Sequence, residues 1–160
     1  MNNLPNYEPA PGWFKNFEWE STGVHAPDGY TYSANAWGNV YYKVYGRMNR
    51  NAAVQQCSAD GATLPIPQSD AENDFMFSLW ENQSSHRAAW VGISDQATGG
   101  TWVDDDGSDP ITYSAWQANE PNGARSENAA GYFREDDGVV RWADLAGGRQ
   151  EGVVCVIYAV

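Results

Sequence analysis

The pattern of hydrophobic and polar positions changes twice along this 160-residue chain. Val40–Val44 is rich in β-branched and aromatic residues, which favours a strand. Residues 49–61 and 69–80 instead place apolar side chains three and four positions apart, which is typical of helices with one buried face. From Ala88 onward the chain returns to short apolar runs separated by turn residues. This part of the chain therefore predicts strands.

Both predicted helices have local start signals. Asn49 or Asn51 can cap the first helix, and Gly61 stands where that helix should end. Ser69 and Glu72 have the spacing of a capping box, in which each residue satisfies a free backbone N–H of the first turn. We therefore expect a second helix from Ser69, with its apolar face formed by residues 75–79.

The runs that follow share apolar, β-branched or aromatic content between turns, and they cover residues 88–93, 101–103, 131–133, 139–142 and 153–158. Two helices followed by about five short strands predict an α+β fold. Residues 114–129 show no periodicity. A loop of that length inside a compact domain is usually functional.

Residues 1–35 differ from the remainder of the chain. They contain four prolines, which argue against a long helix. They also contain Trp13, Phe14, Phe17 and Trp19, and these aromatic side chains need a surface to pack on. We predict an N-terminal extension over residues 1–35 that docks on a domain spanning residues 36–160.

Composition narrows the classes of function. Hydrophobic residues make up 42% of the chain and the formal net charge is −12. Such a charge repels phosphate backbones and anionic lipid, so we expect neither nucleic acid nor a membrane surface as a partner. The longest apolar run is far shorter than the roughly 20 residues that cross a bilayer, so we expect no membrane insertion. The same charge suits divalent cations.

The two cysteines, Cys57 and Cys155, leave three possibilities open: free core thiols, a redox pair or one disulfide. A bridge would close a loop of about 100 residues and stabilise the fold by roughly 4–5 kcal/mol in the chain-entropy model. It would also place the protein in an oxidising compartment.

The aperiodic loop and the strand after it carry the candidate chemistry. Glu120, Asn122, Glu127 and Asp144 offer carboxylate and amide oxygens. Ca²⁺ prefers six to eight oxygen ligands and tolerates irregular geometry. Proline between Glu120 and Asn122 can hold both side chains on one side of the loop. We therefore expect these four residues to be calcium ligands.

The order of the motifs resembles that of a C-type lectin-like domain over about residues 36–160. The motifs, in chain order, are Trp90-Val91-Gly92-Ile93, Thr101-Trp102-Val103-Asp104, Thr112-Tyr113-Ser114-Ala115-Trp116, Glu120-Pro121-Asn122 and Trp142-Ala143-Asp144. The resemblance implies two helices, small antiparallel sheets and a long ligand-binding loop region. It also implies that Cys57 and Cys155 form the principal disulfide of the family.

In the resembled family, the same residues bind calcium and sugar. The resemblance thus assigns sugar binding to Glu120, Asn122, Glu127 and Asp144. Ala143 stands where the family has an asparagine ligand, so another group must replace that ligand, and Asn128 is a candidate. A second disulfide of the family is not expected, because its two positions align with Ala129 and Gly147.

The Glu-Pro-Asn sequence goes with mannose-type sugars and fucose in the family, so glycans on cell surfaces are the expected partners. Glucose and N-acetylglucosamine fit the same hydroxyl pattern. Tyr132 or Trp116 can stack on a sugar face, although Trp116 fits the core better. The expected location is extracellular or at a cell surface, within a larger secreted protein. The acidic chain resembles the ligand-binding domains of bacterial repeats-in-toxin adhesins. The alternative is that the chain is an invertebrate lectin.

Two other functions compete with calcium-dependent sugar binding. A lectin-like fold can instead recognise protein or ice without binding sugar, and the loss of a ligand at Ala143 favours that alternative slightly. A glycosidase using Glu120 and Glu127 is disfavoured, because paired carboxylates here suit a cation and no histidine lies in the loop. His25 and His86 lie outside it, and we expect His86 to be solvated. The chain is therefore not expected to be an enzyme.

Overall fold

The computed structural model describes residues 26–96, 100–107, 109–123 and 126–159. These residues form two α-helices, α1 (Arg50–Ala59) and α2 (Asp70–Glu81). Its strands are β1 (Thr31–Asn35), β2 (Gly38–Met48), β3 (Ala89–Ser94), β4 (Val103–Asp104), β5 (Ala129–Arg134), β6 (Val140–Leu145) and β7 (Glu151–Ala159). The predicted α+β class is confirmed.

Helix α1 begins where its cap signal predicts. The Asn49 side chain accepts a hydrogen bond from the backbone N–H of Ala52 at 2.8 Å, so Asn49 is the cap and Asn51 lies inside the helix. The helix ends just before Gly61, which adopts a left-handed φ of 73°. Such a conformation favours glycine, because it has no Cβ to clash with the backbone.

Helix α2 uses a modified capping box. Ser69 Oγ accepts from the backbone N–H of Glu72 at 3.1 Å, as predicted. The Glu72 carboxylate, however, accepts from the backbone N–H of Gln68 at 3.1 Å instead of from that of Ser69. The inner face of the helix buries Met76 and Phe77, which supply apolar contacts to the sheet.

The described strands form one seven-stranded sheet in place of the separate small sheets expected. Its order is β1-β2-β7-β3-β5-β6, and β4 pairs with the outer part of β3. β3 and β7 are parallel, whereas the other pairs are antiparallel. The strand β1 lies within the predicted extension and pairs with β2. Residues 1–25 of that extension lie outside the described residues, and the boundary at residue 36 stays a prediction.

A disulfide joins Cys57 on α1 to Cys155 on β7, with an S–S distance of 2.03 Å. Both residues are fully buried, and the predicted pairing is confirmed. Because the bridge spans 98 residues in sequence, it restricts the unfolded chain over most of the domain. Among the described residues, no helix is both long and apolar enough to cross a membrane.

Candidate functional site

The predicted ligand loop begins along the outer edge of β6. The backbone N–H of Trp142 donates to the Ala115 carbonyl at 2.7 Å, and that of Gln117 donates to the Trp142 carbonyl at 2.8 Å. This pairing is parallel, so the two segments advance in the same direction. Residues 118–123 therefore reach Asp144, which follows Trp142 on the strand.

The turn after Gln117 brings the first two predicted ligands into contact. The backbone N–H of Glu120 donates to the Gln117 carbonyl at 3.0 Å, Asn119 has a φ of 68°, and the Glu120–Pro121 peptide is cis. The Asn122 Nδ2 group donates to Glu120 Oε2 at 3.0 Å. The Asn122 amide oxygen is left as an acceptor on the same turn.

Asp144 joins this turn from the strand side. Its side chain accepts from the backbone N–H of Asn122 at 2.9 Å and from that of Gly123 at 2.7 Å. Only 3% of the residue is exposed. Burial raises the pKa of Asp144, but contact with Glu120 and these backbone donors outweighs it, so the pKa falls below its ordinary value. Asp144 is thus the ionised member of a carboxyl pair.

Glu120 is the other member of the pair, and its environment is the reverse. Burial, the adjacent Asp144 carboxylate and the charge of Glu127 raise the pKa of Glu120 to about 7. Its Oε1 atom is buried and has no hydrogen-bond partner. Within the described residues, no lysine, arginine or histidine forms an ion pair with Glu120 or Asp144. The pair therefore carries negative charge that no basic residue in the described part of the chain balances by an ion pair.

Glu127 is brought to the loop by the absence of a side chain at Gly123. A Cβ atom on Gly123 would overlap the Glu127 side chain, including its Oε1 atom and its own Cβ. The Ser126 hydroxyl also donates to the Gly123 carbonyl at 2.9 Å, which closes the turn. All four predicted ligands therefore lie on or against the turn at residues 120–123. Glu120 and Asn122 belong to it, Asp144 is hydrogen bonded to it, and Glu127 packs on Gly123.

The structure places Asn128 against a different acid. Its Nδ2 group donates to Asp95 Oδ1 at 2.8 Å, and its backbone carbonyl accepts from the Asp95 N–H at 3.2 Å. Its amide oxygen remains an acceptor, but its side chain is held beside Asp95. Replacement of the missing ligand by Asn128 stays a prediction.

Ala143 sits where the resembled family has asparagine, and it is 92% buried, with 8% of its surface exposed. It pairs with Gly131 of β5. A methyl side chain offers no oxygen to a cation. Alanine at this position therefore lacks the ligand oxygen of the family's asparagine, and it leaves no polar side-chain group unsatisfied.

The two aromatic residues considered for sugar stacking differ in burial, Tyr132 being buried in the core and Trp116 partly buried against it. Tyr132 is fully buried and packs edge-on against Phe77, with ring centroids 5.2 Å apart, so stacking on a ligand is excluded. Trp116 packs between Trp102 and Trp142, at 4.9 and 5.5 Å. It supports the loop from beneath, as its core assignment predicts.

Sequence reasoning missed Asn73, which holds β6 in place. The Asn73 Nδ2 group donates to the Val140 carbonyl at 2.9 Å, and its Oδ1 atom accepts from Trp142 Nε1 at 2.8 Å. Both interactions are buried. The only signal in the sequence is a polar residue next to the apolar positions of α2.

The expectation of a solvated His86 is wrong. Its Nε2 atom lies 2.6 Å from Glu151 Oε1, and the side chain is 29% exposed. The other Glu151 oxygen accepts from Arg149 Nε at 2.6 Å. His86 therefore lies within hydrogen-bonding distance of a buried carboxylate at the start of β7. His25 lies outside the described residues.

The oxygen donors at this turn fit a hard cation, but the acidic side chains alone do not complete its coordination. Glu120, Asn122 and Asp144 supply oxygen atoms, and the partnerless Glu120 Oε1 is an oxygen that a cation could engage. In the parts of the chain that the structure describes, however, no three His, Cys, Asp or Glu side chains come close enough to hold a metal ion by themselves. Amide, backbone or solvent oxygens would have to complete the coordination.

Comparison with known proteins identifies a family and several relatives. The Lectin C-type domain model matches residues 46–157. A tetranectin-like protein of Carcharhinus perezii is 31% identical over 116 residues, covering 72% of this chain and 68% of that protein. An alpha-N-acetylgalactosamine-specific lectin of Patiria pectinifera is 32% identical over 86 residues, covering 52% of this chain and 51% of that lectin.

Solved structures show the same fold. A calcium-independent type II antifreeze protein superposes with a TM-score of 0.66 and 22% identity, covering 85% of this chain and 96% of that protein. The two sequence relatives are animal proteins and give no support to an origin in a bacterial adhesin.

Proposed function

The chain belongs to the C-type lectin domain family, and from that premise we propose that it binds carbohydrate with the help of calcium. The proposed binding surface is the turn at residues 120–123 together with Asp144 and Glu127. One observation carries the proposal. Two adjacent carboxylates share this site without a basic partner among the described residues, and one of the Glu120 oxygens is buried and unsatisfied.

Each residue of the proposed binding surface has its own role. Asp144 is held by two backbone N–H groups, so its carboxylate is fixed before any ligand arrives. Glu120 and Asn122 offer an acceptor and an amide on the same turn, and a sugar hydroxyl both donates and accepts. Bound calcium would add direct coordination of two neighbouring hydroxyl oxygens. Glu127, packed on Gly123, would supply a further carboxylate at the edge of the loop.

The class of sugar ligand that we propose follows from the Glu-Pro-Asn sequence. In the resembled family, that order of acceptor and amide accompanies mannose, fucose, glucose or N-acetylglucosamine. The Patiria pectinifera relative, by contrast, is named for N-acetylgalactosamine. We propose the mannose and fucose class, with glycans on cell surfaces as partners, and the disulfide fits an oxidising extracellular location.

A lectin-like protein without sugar binding is the second candidate. Ala143 removes a ligand, and a calcium-independent antifreeze protein shares the fold. In this case the loop would recognise protein or ice, and calcium would make no difference to it.

A glycan array separates the two candidates. The protein is applied with millimolar calcium and again with excess chelator, alongside Glu120→Gln/Asn122→Asp, which swaps acceptor and donor at constant size. Calcium-dependent binding to mannose or fucose that the double variant loses supports the proposal. Glycan binding that survives the chelator overturns the calcium dependence of the proposal. No glycan binding at all overturns the proposal in favour of the second candidate. Asp136→Asn, an exposed acid in another turn, is the matched control.

A further inference from the structure

The only asparagine–glycine pair of the chain, Asn122-Gly123, lies in the turn at residues 120–123. In such a pair the backbone nitrogen of the glycine can attack the side-chain carbon of the asparagine, because glycine has no Cβ to hinder the approach. Asparagine is counted among the thermolabile residues of proteins. Asn122 is exposed, so the water that completes the reaction can reach it. The pair therefore has the composition and the exposure of a deamidation site.

Hydrogen bonds of the turn restrain both reacting groups. The Gly123 N–H, which must lose its proton before the nitrogen can attack, donates to Asp144 Oδ2 at 2.7 Å. Loss of this proton is opposed there, because the resulting amide anion would face a carboxylate. The leaving amide of Asn122 donates to Glu120 Oε2 at 3.0 Å. The folded turn therefore slows the reaction that its sequence favours.

Asp144 is the residue on which this restraint depends. Its other oxygen, Oδ1, accepts from the backbone N–H of Asn122 at 2.9 Å, so one carboxylate holds the N–H groups of both members of the pair. Only 3% of Asp144 is exposed, and hydrogen bonds to an ionised acceptor are stronger than neutral ones. Within the described residues, Asp144 is the sole acceptor for these two N–H groups.

We propose that Asn122 is a deamidation site that Asp144 restrains. When the turn leaves Asp144, the Gly123 nitrogen gives up its proton to a solvent base and forms a bond to the side-chain carbon of Asn122. The bond from that carbon to Nδ2 breaks, and the nitrogen leaves as ammonia after it takes a proton from solvent. Water then opens the succinimide ring at either carbonyl, which gives aspartate or isoaspartate. The net reaction consumes one water, releases one ammonia and involves no oxidation.

Either product disrupts the turn. Aspartate replaces the amide that donates to Glu120 by a carboxylate, and like charges repel. Isoaspartate adds one carbon atom to the backbone between residues 122 and 123, so that their N–H groups no longer match the two oxygens of Asp144. The loss of sugar binding that follows rests on the proposed function, whereas the reaction itself does not.

The test follows each asparagine by peptide mass spectrometry while the purified, disulfide-bonded protein is kept at pH 8 and 37 °C with chelator. Pepsin digestion at acid pH avoids further reaction during preparation. A synthetic peptide of residues 117–128 gives the rate without the fold. Asp144→Ala frees both N–H groups, and Asp136→Ala, which removes an exposed acid from another turn, is the matched control. Circular dichroism checks that each variant is folded.

We expect Asn122 to convert about tenfold faster in Asp144→Ala than in the wild type, near the rate of the free peptide, and at the wild-type rate in Asp136→Ala. Asn128, which precedes alanine, should convert slowly in every protein. If Asp144→Ala fails to fold, Asp144→Asn, which keeps one acceptor oxygen, replaces it with a smaller expected increase. Equal rates at Asn122 in the wild type and the folded Asp144 variant overturn the proposal. So does a rate at Asn122 in that variant no higher than the rate at Asn128.

Discussion

Two polar side chains of this domain, Asn73 and Glu120, have buried atoms in opposite hydrogen-bonding states. Beneath α2, the Asn73 amide uses both of its ends, on Val140 and on Trp142 Nε1. Beside β6, Glu120 keeps one buried oxygen without a partner and faces a second carboxylate. A fully paired polar group contributes to the uniqueness of the fold, whereas an unpaired one costs stability unless a ligand arrives. We call α2 and β6, which the buried hydrogen bonds of Asn73 hold together, the frame. Glu120 belongs instead to the proposed site.

Breaking the frame should have the largest effect. Asn73→Ala leaves the Val140 carbonyl and the Trp142 indole N–H buried without partners, so we expect a loss of about 3 kcal/mol in the free energy of unfolding. Urea denaturation monitored by fluorescence measures it. Asn82→Ala, at the exposed end of the same helix, is the control. A loss below about 1 kcal/mol would show that these two hydrogen bonds do not hold β6.

The carboxyl pair formed by Glu120 and Asp144 predicts that the stability of the folded state depends on pH. The hydrogen bonds of Asn73 predict no such dependence. In the metal-free protein the pKa of Glu120 is raised to about 7, so its proton stabilises the folded state at low pH. That contribution is complete below the ordinary pKa of a glutamate and is lost as pH rises through 7. Asp144, whose pKa is lowered, has the opposite dependence at acid pH.

Calcium must displace the proton from Glu120, so calcium affinity should be about tenfold higher at pH 8 than at pH 6. Isothermal titration calorimetry at both pH values, in two buffers of different ionisation enthalpy, measures affinity and proton release together. Equal affinity at the two pH values with no proton released would contradict the shared site.

A substitution with a smaller expected effect tests the contact between Glu127 and the loop. Gly123→Ala places a methyl group 2.4 Å from the Cβ atom of Glu127, so Glu127 must shift together with the adjoining backbone of the loop. We expect calcium affinity to fall several-fold while the melting temperature without calcium changes little, since the loop is at the surface. Gly148→Ala is the matched control, because its Cβ would meet nothing within 4 Å. Equal affinities in the two variants would remove Glu127 from the site.

The frame and the site differ also in how far the sequence predicts them. Asn49 and Ser69 cap their helices as expected, because a cap involves residues only three positions apart. The strand β1 was not expected, because its pairing with β2 is not visible in the composition of residues 1–35. Asn73 could not be recognised, since its partners are 67 and 69 residues away.

At the site, the sequence predicts the residue types but not their environment. The Glu-Pro-Asn spacing indicates oxygen ligands, yet the burial of Glu120 Oε1 and the hydrogen bonds to Asp144 depend on how the loop lies on β6. Tyr132 illustrates the same limit. Its position on β5 suggests a stacking surface, but the packing of Phe77 buries it completely.

Thermal denaturation with and without calcium tests the central claim most directly. Calcium that binds the folded state at Glu120 and Asp144 must raise the melting temperature of the wild-type protein. Asp144→Ala removes the fixed carboxylate, so its melting temperature should be the same with millimolar calcium as with chelator. An equal rise in both proteins would place calcium elsewhere, and no rise in the wild type would contradict a calcium site at this loop.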